Sequence, residues 1–258
     1  MSFIPKHKGT RVIILVMVIL ALIGIAIAWV YYSGINRSAD PRVRDARTMY
    51  ARYNIYAASN EQEKILSLLD SIYGVFKSVK HYENSYEIGV VLNNRASIYL
   101  TRAISDTLVN EVKMQYLAMA EHELLRSIEY YQNWIIAFGG LNESGIQDTV
   151  YKDFMSDPVI FTDKRAESYI HQRVKDMMTA RLEMPRRLSV SYTNLGIIRR
   201  HENRPEEAVE YYVRALELWE DNLAAKNNLN IIFGRPVEKH GFFRRLFPPR
   251  RSKVEGRK

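Results

Sequence analysis

Apolar residues recur along this chain in two ways. Near the N-terminus they are continuous: Val12 to Val30 reads VIILVMVILALIGIAIAWV, nineteen residues without a charge, followed by Tyr31 and Tyr32. As a helix this run reaches about 28 Å, close to the roughly 30 Å hydrocarbon core of a bilayer. Trp29, Tyr31 and Tyr32 at one end and Lys8 and Arg11 at the other suit the two membrane interfaces. The pattern predicts a basic flank over residues 1–11, a transmembrane helix over 12–32 and a linker over 33–41 that closes on Asp40-Pro41. A cleaved signal peptide is the alternative, since Ala26-Ile27-Ala28 has the small-x-small form of a cleavage site. The run is longer than a signal core and a bulky Trp29 would follow the cut, which favours an uncleaved anchor.

Beyond the linker the apolar positions follow a 3.6-residue period. Ile65, Leu69, Ile72, Phe76 and Val79 share one helix face, and Ile88, Leu92, Tyr99 and Ala103 share another. A third stripe, Leu117, Leu124, Ile128, Tyr131 and Ile135, predicts the longest helix, from about Val112 to Ala137, stopped by Gly139-Gly140. Residues 139–162, with Gly145, Pro158 and scattered polar positions, read as a long loop holding at most one helical turn. Helix resumes near Asp163, with Ala166, Ile170, Val174 and Met177 on one face, and Pro185 is expected to interrupt it. No alternating runs flanked by hairpin dipeptides occur, so the expected fold is all-α over residues 42–234.

The most regular stretch runs from Ser189 to Leu229. Leu188, Tyr192 and Leu195 stripe one short helix, and Ala208, Tyr212, Ala215 and Trp219 a second. Asn203 tolerates the left-handed backbone of a tight turn, Pro205 with Glu206 and Glu207 suits a helix start, and Glu210 is spaced to pair with Arg214. Small residues at Gly196, Ala208 and Ala215 would let two antiparallel helices approach closely.

These residues resemble the tetratricopeptide repeat, a helix-turn-helix unit of about 34 residues. With Ser189 as position one, the aromatic at four is Tyr192, the Leu-Gly pair at seven and eight is Leu195-Gly196, the alanines at twenty and twenty-seven are Ala208 and Ala215, and the aromatic at twenty-four is Tyr212. Arg199 replaces the aromatic at eleven and Glu220 the closing proline. The clearest repeat spans 189–222, and 223–233 looks like a capping helix. Upstream, Ala96, Tyr99, Ala120, Leu124 and Ser127 resemble a degenerate repeat with about twelve extra residues between its helices. The resemblance implies a superhelical array of antiparallel hairpins whose first helices line a groove for a partner protein. Thr193, Ile197, Arg200, His201 and Asn227 would face that groove.

Charge and composition narrow the function further. Hydrophobic residues make up 47% of the chain and charged residues 26%, ordinary globular values that exclude wholesale disorder. The net charge of +8 is concentrated at the ends rather than on a folded face, which argues against nucleic-acid binding. The chain has no cysteine, so disulfides, thiolate metal sites and lipidation on cysteine are excluded. Its six histidines lack metal-ligand spacing, His122-Glu123 lacks the second histidine of a metalloprotease helix, and the glycines around Gly145 lack the lysine of a phosphate loop. No catalytic motif, metal site or cofactor is therefore expected.

The tail, 235–258, interleaves Phe242, Phe243 and Phe247 with Arg244 and Arg245, a pattern suited to an anionic membrane surface. A disordered soluble tail is the alternative. Lys6, Lys8 and Arg11 nearly balance Arg37, Arg42, Arg44 and Arg47 across the apolar run. Long C-terminal domains translocate largely regardless of charge, so the expectation is a single-pass protein of a bacterial inner membrane with a periplasmic body, the cytoplasmic orientation staying open. Two functions remain. One is a membrane-anchored scaffold or adaptor binding protein partners in an envelope-associated complex. The other is a helical module for a small or non-protein ligand, with 139–162 as its lid. A polar groove along several first helices favours the first, and a closed apolar cavity near 139–162 favours the second.

Overall fold

The computed structural model describes residues 39–105 and 108–239, and every element among them is helical. The transmembrane helix expected over 12–32 and the membrane-surface residues Phe242, Phe243, Arg244, Arg245 and Phe247 lie outside the described residues. Among the described residues no helix is long and apolar enough to cross a membrane.

The chain enters on Asp40, whose side chain accepts from Arg42 N at 2.9 Å and caps a 3-10 turn, Pro41–Val43. Helices α1 (Arg44–Ala58) and α2 (Gln62–Ser78) follow, separated by Asn60 at φ 54°. The predicted stripe of α2 is the one that packs, because Ile65, Leu69, Ile72 and Phe76 are all buried and Val79 is partly so. Helix α3 (Tyr86–Ala103) is apolar on two sides. Ile88, Val91 and Leu92 meet α1 and α2 in one core, while Tyr86, Ala96 and Leu100 join the larger core built by the rest of the chain.

Helix α4 (Asn110–Phe138) runs antiparallel to α3, as its pairings show: Gly89 lies against Tyr131, and Arg95 reaches Glu123 at 3.3 Å. Ser127 in α4 donates to the Gly89 carbonyl at 2.7 Å. Leu117, Leu124, Ile128 and Tyr131 are buried as expected, but Trp134 rather than Ile135 continues the buried face.

The 139–162 segment is not a loop. Helix α5 (Glu143–Met155) begins where the Asn142 side chain accepts from Gly145 N at 2.8 Å, so Gly145 occupies a capped first turn. Ile146, Val150 and Phe154 then bury one face at four-residue steps. A short helix, α6 (Pro158–Phe161), is capped by Asp157.

Helix α7 (Ala166–His201) is continuous through Pro185 and is the longest element, in place of α4. Proline removes one helical hydrogen bond and costs about 3 kcal/mol inside a helix. Burial on both sides outweighs this: Tyr169, Ile170, Val174, Met177 and Met184 precede or adjoin the proline, and Leu188, Tyr192 and Leu195 follow it. The N-terminal half of α7 packs against α4 and α5, and its C-terminal half against α8 (Pro205–Leu218) and α9 (Leu223–Ile232). Asn203, at φ 61°, turns the chain from α7 into α8, and Pro205 stands in the first turn of α8. Arg214 does not pair with Glu210; its guanidinium lies over the Tyr192 ring, 4.5 Å from the centroid.

Candidate partner-binding site

Two helix pairs close on the same contact. A Cβ on Gly196 would stand 2.5 Å from Tyr212 Cε1, and one on Gly89 would stand 2.5 Å from Tyr131 Cε1. Each glycine brings two backbones together over a fully buried tyrosine ring. The α3–α4 pair carries its inserted residues beyond this contact, where both helices simply extend. Ala96 and Leu124, which carry the expected upstream register, lie two turns farther along the same hairpin than the Gly89–Tyr131 contact.

The five groove candidates meet different surroundings. Thr193 is buried, not exposed. Its hydroxyl donates to the Ser189 carbonyl at 2.8 Å and accepts from Asn222 Nδ2 at 2.8 Å. Asn222 Nδ2 also reaches Ser189 Oγ at 2.8 Å, and Asn222 Oδ1 accepts from Ala225 N at 3.1 Å, so one amide ties α7 to the first turn of α9. Thr193 is needed inside that network and is unavailable to a partner. Asn227 is also engaged, donating to the Glu238 carbonyl at 2.9 Å and accepting from Glu238 N at 2.7 Å. Together with the bond from Asn230 to the Pro236 carbonyl, this lays the chain after Gly234 back along α9.

Ile197, Arg200 and His201 remain half-buried at the C-terminal end of α7. Burial, with the positive charges of Lys113 and Arg200 close by, pushes the His201 imidazole below its ordinary value, so it is neutral at pH 7. Among the described residues, neither Lys113 nor Arg200 forms an ion pair with a carboxylate. The patch is thus an apolar side chain flanked by two unneutralised cations. Arg199, the departure from the repeat pattern, points inward instead and pairs with Glu121 of α4, with Glu202 at 2.8 Å and with Glu207 of α8 at 3.3 Å. An inward arginine locks three segments together where the pattern would place an aromatic ring. Burial pushes the Tyr212 hydroxyl up to about 12 beneath this end of the hairpin.

A concave feature lies at the opposite end of α7. A cavity of about 260 Å3 is bounded by the turn between α2 and α3 and by α4, α5 and α7. Trp134 and Phe138 form one wall, Val150 and Met177 another, and Glu83 and Asp153 supply carboxylates. Behind it Arg173 pairs with Glu87 and stacks over the Tyr82 ring at 4.2 Å. Burial pushes the Glu87 carboxyl up, but the adjacent Arg173 charge and its hydrogen bond more than offset that and hold it below the usual carboxylate range. The 139–162 segment, helical rather than a loop, contributes Thr149, Val150 and Asp153 of α5 to the cavity wall. Neither Trp134 nor Arg173 announces itself in sequence, since each sits within an ordinary helical stripe. Among the described residues no group of three His, Asp or Glu side chains is placed to hold a metal ion. No protein-family model, curated protein or solved structure matches the chain.

Proposed function

We propose that this chain is a membrane-anchored adaptor whose tetratricopeptide-like hairpins bind other proteins, and that it catalyses nothing itself. The observation that carries the reading is the repeated glycine-on-tyrosine closure, Gly89 on Tyr131 and Gly196 on Tyr212. Two hairpins closed alike and packed side by side are what a repeat resemblance requires beyond one matched motif.

The partner surface is the patch of Ile197, Arg200 and His201 with Lys113 beside it. Its chemistry suits an acidic segment carrying an apolar anchor, because the two cations lack carboxylates and Ile197 is only partly covered. Residues 12–32 form the tether in this reading, with Phe242, Phe243, Arg244, Arg245 and Phe247 as a second membrane contact, and the body lies outside the cytoplasm. The start of the domain is tied into the fold by Arg42. Arg42 bonds Asp40 at 2.9 Å and Asp153 at 3.2 Å, and it lies over the Phe154 ring at 4.4 Å. Beside this point α6 exposes Val159 and Phe161, with Lys164 and Arg165 next in the chain, a composition that suits a bilayer surface.

The test is a photo-crosslinking residue at Ile197 or Arg200 in native membranes. The expected result is a discrete adduct of reproducible mass that weakens as salt rises. Recovery of the chain alone from both positions refutes the adaptor reading.

A further inference from the structure

Three residues that line the cavity between α4, α5 and α7 carry a buried polar atom without a partner, Ser85 through its Oγ and two others. Trp134 is 1% exposed, and its indole Nε1–H has no hydrogen-bond partner. Glu83 also lines the cavity, and its Oε2 is buried without a partner. Buried polar groups are almost always satisfied by protein or water, so a donor and a carboxylate oxygen without partners in residues that line one cavity point to something that binds there.

Size and charge define the occupant. A volume of about 260 Å3 exceeds the roughly 150 Å3 that suffices for benzene in an apolar cavity. Phe138, Val150 and Met177 offer an apolar surface to the body of a ligand. The surrounding charge is negative. Asp153 shares the Arg42 guanidinium with Asp40 and Asp157 and lies 3.5 Å from His81 Nε2, and the charge of Arg173 is already taken by Glu87. An anion would meet the carboxylates of Glu83 and Asp153, whereas an ammonium group would be attracted to them, with the half-buried Phe138 ring beside it.

We infer that this cavity is a binding site for a small organic amine: an ammonium group at Glu83 and an aromatic or aliphatic body against Val150 and Met177, with Trp134 in the adjoining wall. The site is independent of the adaptor reading, since it shares no residue with the Ile197 patch.

Tyramine and 4-hydroxyphenylacetate are a matched pair of probes, close in size and opposite in charge. Binding is followed in the full chain in nanodiscs by the Trp134 indole 15N–1H signal, assigned in a Trp29→Phe, Trp219→Phe background. Tyramine is expected to shift the signal saturably with a Kd in the millimolar range or below. 4-Hydroxyphenylacetate should bind at least tenfold more weakly, and Glu83→Gln should erase most of that difference. Ala137→Phe and Thr149→Phe enter from exposed lining positions. They should abolish the shift with the far-UV circular dichroism unchanged. Equal binding of the two probes, no saturable shift, or a shift that survives both plugging variants overturns the inference and leaves a cavity filled by water alone.

Discussion

Replacing Gly196 by alanine separates close packing from helix propensity, because the two push stability in opposite directions. A Cβ at this position would lie 2.5, 2.7 and 2.9 Å from Cε1, Cδ1 and Cζ of Tyr212. Ordinary carbon contacts begin near 3.4 Å, so the ring has to retreat by about 1 Å, yet Tyr212 is fully buried. Overpacking of this kind costs about 1–3 kcal/mol, and alanine regains about 1 kcal/mol over glycine in a helix. Gly196→Ala is therefore expected to lower stability by up to about 2 kcal/mol, with Gly89→Ala behaving alike against Tyr131. Gly74 lies inside α2 with nothing within 4 Å of the added carbon, so Gly74→Ala should raise stability by about 0.5–1 kcal/mol. In a Tyr212→Leu background the ring is gone, and Gly196→Ala should turn neutral or favourable. Urea unfolding of the full chain in detergent, followed at 222 nm, measures all of these. If Gly196→Ala stabilises as Gly74→Ala does, the contact is not what sets the hairpin spacing.

Asn222→Ala removes a helix cap and the amide shared by Ser189 and Thr193, and losing a cap costs about 1 kcal/mol with a similar loss for each buried hydrogen bond. A destabilisation of about 2–3 kcal/mol is expected, with faster hydrogen exchange at Ala225. For His201 the folded-state value is depressed, so below the ordinary value near 6.5 the unfolded chain takes up a proton more readily than the folded one. Stability should fall as pH drops from 7 through the folded value, and His201→Gln should remove that slope; an unchanged slope in denaturation midpoints between pH 5 and 7 would show that His201 is solvated.

The helices that were legible in sequence are those whose apolar stripe is unbroken. In α2, Ile65, Leu69, Ile72 and Phe76 carry the whole burden of packing, and the pattern alone places them. The Ser189 to Leu229 hairpin was equally clear, down to the left-handed Asn203 and the first-turn Pro205. Local propensity misled where tertiary packing overrode it. Gly145 reads as a loop residue, but a capped first turn tolerates glycine at little cost, and the burial of Ile146, Val150 and Phe154 does the rest. Pro185 reads as a terminator, but the buried faces on either side keep α7 continuous across it. Thr193 looks like a surface residue on the inner face of a repeat because the pattern cannot show that Asn222, twenty-nine residues on, reaches back to it. The cavity was invisible because its wall is assembled from four elements distant in sequence, and no spacing rule links Glu83 to Trp134.

The continuity of α7 also bears on how the two candidate sites relate. Arg173 borders the cavity and Arg200 belongs to the partner patch, and at 1.5 Å per residue the intervening helix is about 40 Å long. Substitutions that far apart, with no shared partners, add independently. Ala137→Phe should therefore leave the crosslinked adduct at Ile197 unchanged, which makes it the control for the adaptor experiment. If plugging the cavity instead alters the adduct, two continuous elements join the sites, α4 from Lys113 to Trp134 and α7 from Arg200 to Arg173, and the pairs Arg173–Glu87 and Arg199–Glu121 mark where α7 is gripped at each end. Glu87→Gln and Glu121→Gln would then release one grip each, and the coupling should weaken in both.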